Sequence, residues 1–161
     1  MKRSERGFTL VEIMIVVAII ALLAAIAIPN VLRGRTTANE SASVGNLRAL
    51  MSSLEMYRSV YSFYPAAWNT MWSGITPPFA PPSFAVNLDA AQTVQGYAYT
   101  YAPGVGGNTY SINANPTVAG STGTRTFWVN ETGQVYHCNG DSTTQTPGTA
   151  LTVDQAPATC P

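Results

Sequence analysis

Hydrophobic residues are concentrated near the start of the chain. Residues 8 to 28 form an apolar run in which Glu12 is the one charged residue. As an α-helix these residues rise roughly 30 Å, about the thickness of the hydrocarbon core of a bilayer. The pattern therefore predicts a membrane-spanning helix.

Beyond Pro29 the pattern becomes amphipathic. Apolar residues recur at helical spacing from Leu47 to Tyr61, with polar residues between them, which predicts a helix with one buried face. A proline removes a helical hydrogen bond, so Pro29 either ends the first helix or bends one that continues. Because helical spacing resumes, we predict one helix over residues 8 to about 62, bent near Pro29 and ended by Tyr64-Pro65.

The second half of the chain alternates between polar and apolar residues. Residues 65–92 are rich in proline and aromatic residues and are predicted to form a loop. Alternation predicts strands at 94–101, 109–114 and 126–137, the last interrupted by a Gly-bearing turn. An antiparallel sheet packed on an amphipathic helix gives an α+β fold with an apolar, protruding first half of the helix.

The distribution of charge predicts the orientation of the chain across the membrane. The chain is neutral overall and only 10% of its residues are charged, so nothing indicates a nucleic-acid partner. Lys2, Arg3 and Arg6 against Glu5 nevertheless make the first seven residues positive. A positive flank stays in the cytoplasm, so we expect the rest of the chain to be exported.

Glu12 has several interpretations. A cleaved signal peptide would be cut after its apolar run, but this run is long for one. A plain membrane anchor leaves Glu12 unexplained, because a carboxylate in hydrocarbon costs about 2.5–3.5 kcal/mol on insertion scales. Alternatively, Glu12 lies close enough to the interface to reach water.

The stretch RGFTLVEIMIVVAIIALLAAIAIPN resembles the leader and signature of type IV pilins and the related pseudopilins of type II secretion. The resemblance implies a pilin-like fold, a cleaved leader (1–7), a transmembrane and assembly helix (8–30) and a globular head (31–161). It implies cleavage between Gly7 and Phe8 by a prepilin peptidase, and N-methylation of Phe8. The implied partners are the membrane, an inner-membrane assembly platform and copies of the same chain.

The chemistry of these residues is consistent with that resemblance. Gly7 has no side chain, so a peptidase can approach its backbone closely. Cleavage would expose an ammonium at Phe8, which Glu12 of a neighbouring subunit could neutralise in a fibre. Breaking such a buried pair costs about 3–5 kcal/mol. Phe8, Glu12 and Pro29 are therefore the predicted assembly residues.

Cys138 and Cys160 are the two cysteines. In an exported domain they predict one disulfide that staples the tail, residues 138–161, whereas in a cytosolic protein they would be two thiols. A metal site at His137 and these cysteines lacks a fourth ligand, and Asp141 and Asp154 are too sparse to predict calcium binding. We predict no metal and no cofactor.

Three functions remain open. The first is a structural type IV pilus subunit serving adhesion, motility or DNA uptake, located in the inner membrane and then in an extracellular fibre. The second is a pseudopilin in a periplasmic pseudopilus of type II secretion. The third is a membrane-tethered exported binding domain or enzyme, but the sequence shows no catalytic set, and we predict that the protein is not an enzyme.

Overall fold

The computed structural model describes residues 7–85 and 87–139. Its contacts divide the chain into two compact units, Met1–Arg35 and Thr36–Pro161, which are considered separately below. A single long helix is followed by a five-stranded antiparallel sheet. The predicted α+β, pilin-like fold class is therefore confirmed.

Helix α1 runs from Leu10 to Tyr61 and includes Pro29. The helix thus continues through the proline, as the resumed spacing predicts, whereas a bend at this point stays a prediction. The side-chain amide of Asn30 donates a 3.1 Å hydrogen bond to the carbonyl of Ile26. This bond lies one residue past the carbonyl of Ala25, which loses its helical donor because Pro29 has no N–H.

The sheet contains five strands in chain order, each antiparallel to its neighbours. They are β1 (Gln92–Val94), β2 (Tyr97–Pro103), β3 (Tyr110–Pro116), β4 (Arg125–Asn130) and β5 (Val135–Asn139). Short connections between sequential strands make this a meander, which needs no crossover.

One predicted strand, 94–101, is wrong in its first residues. Gln95 and Gly96 have φ of 51° and 78°, so they form a two-residue turn that pairs Val94 with Tyr97. Two successive left-handed residues match the twist of a tight hairpin, and glycine adopts that conformation without strain. The segment is therefore the hairpin that joins β2 to the short edge strand β1.

The core of the head lies between the second half of α1 and one face of the sheet. Leu47, Leu50 and Leu54 are fully buried, which confirms the predicted apolar stripe, although Tyr61 at its end remains 40% exposed. From the sheet, the alternate tyrosines of β2 point into the same cluster. The predicted loop contributes buried aromatic residues to it and contains two short 3₁₀ helices, Trp68–Met71 and Pro82–Phe84. Its aromatic side chains therefore pack largely on the domain.

Candidate assembly site

The first half of α1 is an uncovered apolar surface. Its large apolar side chains are each at least half exposed, from 50% at Val16 to 75% at Leu10. This helix is the one within the described residues that is long and apolar enough to cross a membrane. Full burial of each such side chain is worth about 1.5–3 kcal/mol, so this surface strongly favours a lipid or protein environment over water.

The predicted processing junction precedes the helix. Phe8 is 84% exposed and non-helical, and a side chain built on Gly7 would meet no atom within 4 Å. A peptidase needs a non-helical, uncrowded backbone at the bond that it cleaves. Gly7 is therefore not required by packing within the described chain, and its role as the cleavage residue stays a prediction.

Glu12 is held by the start of its own helix. The backbone N–H and the hydroxyl of Thr9 each donate a 2.8 Å hydrogen bond to Oε2 of Glu12. In return, the backbone N–H of Glu12 donates to Oγ1 of Thr9 at 3.3 Å. This reciprocal arrangement is a capping box, with Thr9 as the N-cap residue and Glu12 three positions later.

The capping box fixes the position of the Glu12 carboxylate. The negative charge lies at the positive end of the helix dipole, where anions are stabilised. Only Oε2 is engaged, and Oε1 accepts no hydrogen bond from any described residue. Glu12 can therefore cap its own helix and still offer one oxygen to an external cation.

A second carboxylate, Glu40, fastens α1 to the sheet. Glu40 is 5% exposed and accepts hydrogen bonds from the backbone N–H and hydroxyl of Thr124, at 2.8 and 2.7 Å. It also accepts bonds from Nε and Nη2 of Arg125, at 2.9 and 2.7 Å. Burial opposes ionisation, but these hydrogen bonds outweigh it and lower the pKa of Glu40 below its usual value.

A groove of about 360 Å³ opens beside this ion pair. Val44 and Arg48 line it from α1, and Phe127 and His137 line it from the sheet. His137 lines this groove, whereas Cys138 belongs to a different buried cluster. Within residues 7–85 and 87–139, no group of three or more histidine, cysteine or acidic residues could hold a metal.

Not every predicted site residue can be placed. Glu12 lies at the helix start and Pro29 lies inside the helix, and Cys138 is completely buried at the end of β5. Cys160 lies outside the described residues, so the disulfide stays a prediction.

Sequence reasoning missed two functional contributors. Thr9 could have been found, because threonine followed three residues later by glutamate before an apolar run is the signature of a capping box. Glu40 could not, because its partners Thr124 and Arg125 lie 84 and 85 residues away.

Comparisons with known proteins agree with this geometry. Residues 2–28 match the family model described as "Prokaryotic N-terminal methylation motif". Over 113 residues the chain is 33% identical to type II secretion system core protein G of Escherichia coli, covering 70% of this chain and 74% of that protein. The chain belongs to the type IV pilin and pseudopilin family. Core protein G represents the pseudopilin branch of that family.

Other relatives in the family match over shorter stretches. Core protein G of Klebsiella michiganensis is 38% identical over 81 residues, which cover 50% of this chain and 57% of that protein. The type IV wide pilus major component PilA4 of Thermus thermophilus is 46% identical over 56 residues, 35% of this chain and 43% of that protein. The match thus spans only about half the length of several curated relatives, and no solved structure matches the chain.

Proposed function

We propose that this pilin-family subunit is cleaved between Gly7 and Phe8, methylated on the new Phe8 amine, and polymerised through the first half of α1. The observation that carries the proposal is an exposed apolar helix surface from Leu10 to Leu32, with one carboxylate at its beginning. The relatives are named as structural components, and their names indicate no enzyme. A catalytic function is therefore not proposed.

The same surface serves two successive environments. Before assembly the apolar helix lies in the inner membrane, with the basic leader on the cytoplasmic side. In the fibre the helices of neighbouring subunits replace lipid as the apolar surroundings. Transfer of the helix from the membrane into the fibre is favourable only if the polar groups at the helix start have partners there, because an unpaired charge in an apolar core is costly.

Glu12 is the partner for the charge at the helix start. The Phe8 ammonium of an incoming subunit would approach the free Oε1 of Glu12 in a subunit already in place. Oε2 would keep its bonds to Thr9, so the helix cap would survive assembly. Because the capping box holds the carboxylate in one position, the pair would also fix the axial register between subunits, as buried polar pairs do in coiled coils.

The fibre that we propose first is an extracellular type IV pilus serving adhesion, motility or DNA uptake. Its support is the 46% identity to a pilus component of Thermus thermophilus, which is the highest identity among the relatives described above. That match covers only 35% of the chain.

A periplasmic pseudopilus is the second candidate. The match to the Escherichia coli core protein G extends over 70% of the chain, so it includes a large part of the head. The breadth of this match favours the second candidate, whereas the predicted C-terminal disulfide favours the first. Both candidates require the same processing and the same Glu12 pairing.

Deleting the gene in its own organism distinguishes the two fibres. If the protein is a pilus subunit, its deletion should abolish the surface filaments seen by electron microscopy and leave the secreted proteins unchanged. If the protein is a pseudopilin, its deletion should leave those filaments intact and cause the substrates of type II secretion to accumulate in the periplasm. If neither changes, the protein is not an essential subunit of either fibre.

Processing is tested on the protein extracted from membranes. Intact mass and N-terminal sequencing should show a chain that begins at Phe8 and carries one additional methyl group. Gly7→Ala, which leaves the apolar helix unchanged, should retain the leader. A mature chain that starts beyond residue 25 would instead indicate an ordinary signal peptide.

A further inference from the structure

One arginine of the head has no partner in the described chain. Of the three arginines after residue 36, Arg125 pairs with Glu40, and Arg58 donates a 3.0 Å hydrogen bond to a tyrosine hydroxyl. Arg48 is exposed, and within residues 7–85 and 87–139 it makes neither a hydrogen bond nor an ion pair. Its charge is therefore not neutralised within the described part of the head.

Arg48 lines the groove beside the Glu40–Arg125 ion pair. The apolar side chains of this groove belong to three residues: Val44, Phe127 and Val135. His137 adds a polar ring, and Glu40 offsets the charge of Arg125. The groove thus combines apolar walls with one uncompensated positive charge. Because apolar walls strengthen the attraction between opposite charges, this combination favours a carboxylate over a neutral ligand.

One described carboxylate of the head also lacks a partner. The other three accept hydrogen bonds from the same head: Glu40, Glu55 and Asp89. Glu131 is exposed and accepts no hydrogen bond from residues 7–85 and 87–139. The turn around it is held in place, because the side-chain oxygen of Asn130 accepts a 3.0 Å hydrogen bond from the N–H of Thr132. This turn therefore presents a carboxylate at the end of the β4–β5 hairpin that the described head does not use.

Arg48 and Glu131 do not meet within one head. The groove lies where Phe127 pairs with His137, and Glu131 follows Phe127 at a distance of roughly 13 Å along the strand direction. Glu131 lines a separate cavity with residues of the β2–β3 connection. A second copy displaced by roughly this distance along β4 would bring its turn level with the groove of the first.

We propose that Glu131 of one subunit binds in the Arg48 groove of a neighbouring subunit, and that this pair joins heads along the fibre. The inference rests on the proposed assembly into a fibre and adds to it a contact between heads. The groove and the turn are different surfaces of one chain, so the interface is heterologous. Each copy offers its groove to one neighbour and its turn to another, as an open filament requires.

The pair should affect the alignment of subunits more than the stability of one head. Neither side chain has a partner in the described head, so substitutions at the two positions should leave folding unchanged. Charged pairs across an interface chiefly select the partner and fix the register. Together with the Phe8–Glu12 pair, this contact would fix each subunit at two levels, one at the start of the helix and one in the head.

Charge reversal in the full-length protein tests the pair. Arg48→Glu and Glu131→Arg, expressed singly, should each lower the yield of sheared fibres by about fivefold or more at normal membrane levels, because each brings like charges together in the groove. The double variant restores opposite charges and should return the yield to within about twofold of the natural chain. The matched control combines Arg48→Glu with Thr93→Arg, at an exposed position of β1, and should not recover. Equal losses in the single and double variants would contradict the pair.

Crosslinking in intact fibres is an independent measurement. Cells express one chain with Arg48→Cys and a second with Glu131→Cys, and the fibres are treated with a short bismaleimide. A dimer joined through positions 48 and 131 should form only when both chains are present, and each chain alone is the control. Absence of that dimer, or full fibre yield from both single reversals, would overturn the head pair and leave the proposed fibre intact. Absence of fibres from the natural chain would overturn the proposed function and the head pair with it.

Discussion

The two halves of α1 differ in how their apolar residues are covered. In residues 10–35 large apolar side chains occur around the helix, and each remains at least half exposed. In residues 36–61 the buried apolar residues lie along one stripe, which the sheet and the loop cover completely at Leu47, Leu50 and Leu54. The apolar stripe of the second half is therefore covered within one chain, whereas the apolar side chains of the first half need other molecules to cover them.

Their carboxylates differ in the same way. Glu40 receives four hydrogen bonds from Thr124 and Arg125 of the same head. Among the residues that the structure describes, Glu12 accepts hydrogen bonds only from its own helix cap, and its second oxygen accepts none. A complete set of partners indicates a structural role, whereas an incomplete set in an apolar surface indicates a role in association.

Removing the uncovered half should have the largest effect. A chain lacking residues 1–35 should be a soluble, folded monomer, because the remaining helix keeps its stripe against the sheet, whereas the full chain should require detergent. Exposed apolar surfaces of this size mark association sites. Size-exclusion chromatography with light scattering measures the difference, and persistent large oligomers of the shortened chain would place the main association surface in the head.

Breaking the covered half at Glu40 should destabilise the head. Glu40→Gln leaves Arg125 without its anionic partner. Because the Arg125 side chain is 40% exposed, we expect a loss of about 2–3 kcal/mol, less than the roughly 3–5 kcal/mol of a fully buried pair. The melting temperature should fall by roughly 10 °C. Glu131→Gln, at an exposed turn, is the matched control and should change the melting temperature little. Equal stability of the two variants would show that the Glu40 network contributes nothing net.

Low pH should remove the contribution of Glu40 to the stability of the head. The pKa of Glu40 is lowered in the folded head, so its stabilisation is complete above the unfolded value of about 4.3 and is lost as pH falls through the lower folded pKa. The stability difference between the head and its Glu40→Gln variant should therefore be constant from pH 7 to 5 and shrink toward pH 3. Urea unfolding at several pH values measures it, and a constant difference down to pH 3 would exclude ionisation as its source.

The smallest expected effect concerns the cap of the uncovered half. Thr9→Ala removes the hydroxyl that bonds both to Glu12 Oε2 and to the Glu12 N–H, and an N-cap loss of this kind costs about 1 kcal/mol. Hydrogen exchange of the first-turn amides in micelles should accelerate roughly fivefold. Thr9→Ser keeps the hydroxyl and should behave like the natural chain. Equal rates for all three would show that the capping box does not stabilise the helix.

Sequence patterns predicted the local features of this fold better than the long-range ones. The bounds of α1 and the alternation of β2 to β5 follow from the spacing of apolar residues. The turn at Gln95-Gly96 was missed because the alternating tyrosines that follow it were taken as one strand reaching back to Val94, although Val94 and Tyr97 lie three positions apart and break the alternation. Glu40 depends on partners 84 and 85 residues along the chain, which periodicity does not reveal.

The central claim is that Glu12 is the association carboxylate of the uncovered half, and fibre yield tests it most directly. Fibres sheared from cells expressing Glu12→Ala, Glu12→Gln or Glu12→Asp are compared with the membrane-bound subunit in the same cells. The account predicts normal membrane levels throughout, more than tenfold fewer fibres for alanine and glutamine, and an intermediate yield for aspartate, because only aspartate retains a charge for the Phe8 ammonium. Normal fibre yield from Glu12→Ala would contradict the account and leave Glu12 as a helix-capping residue alone.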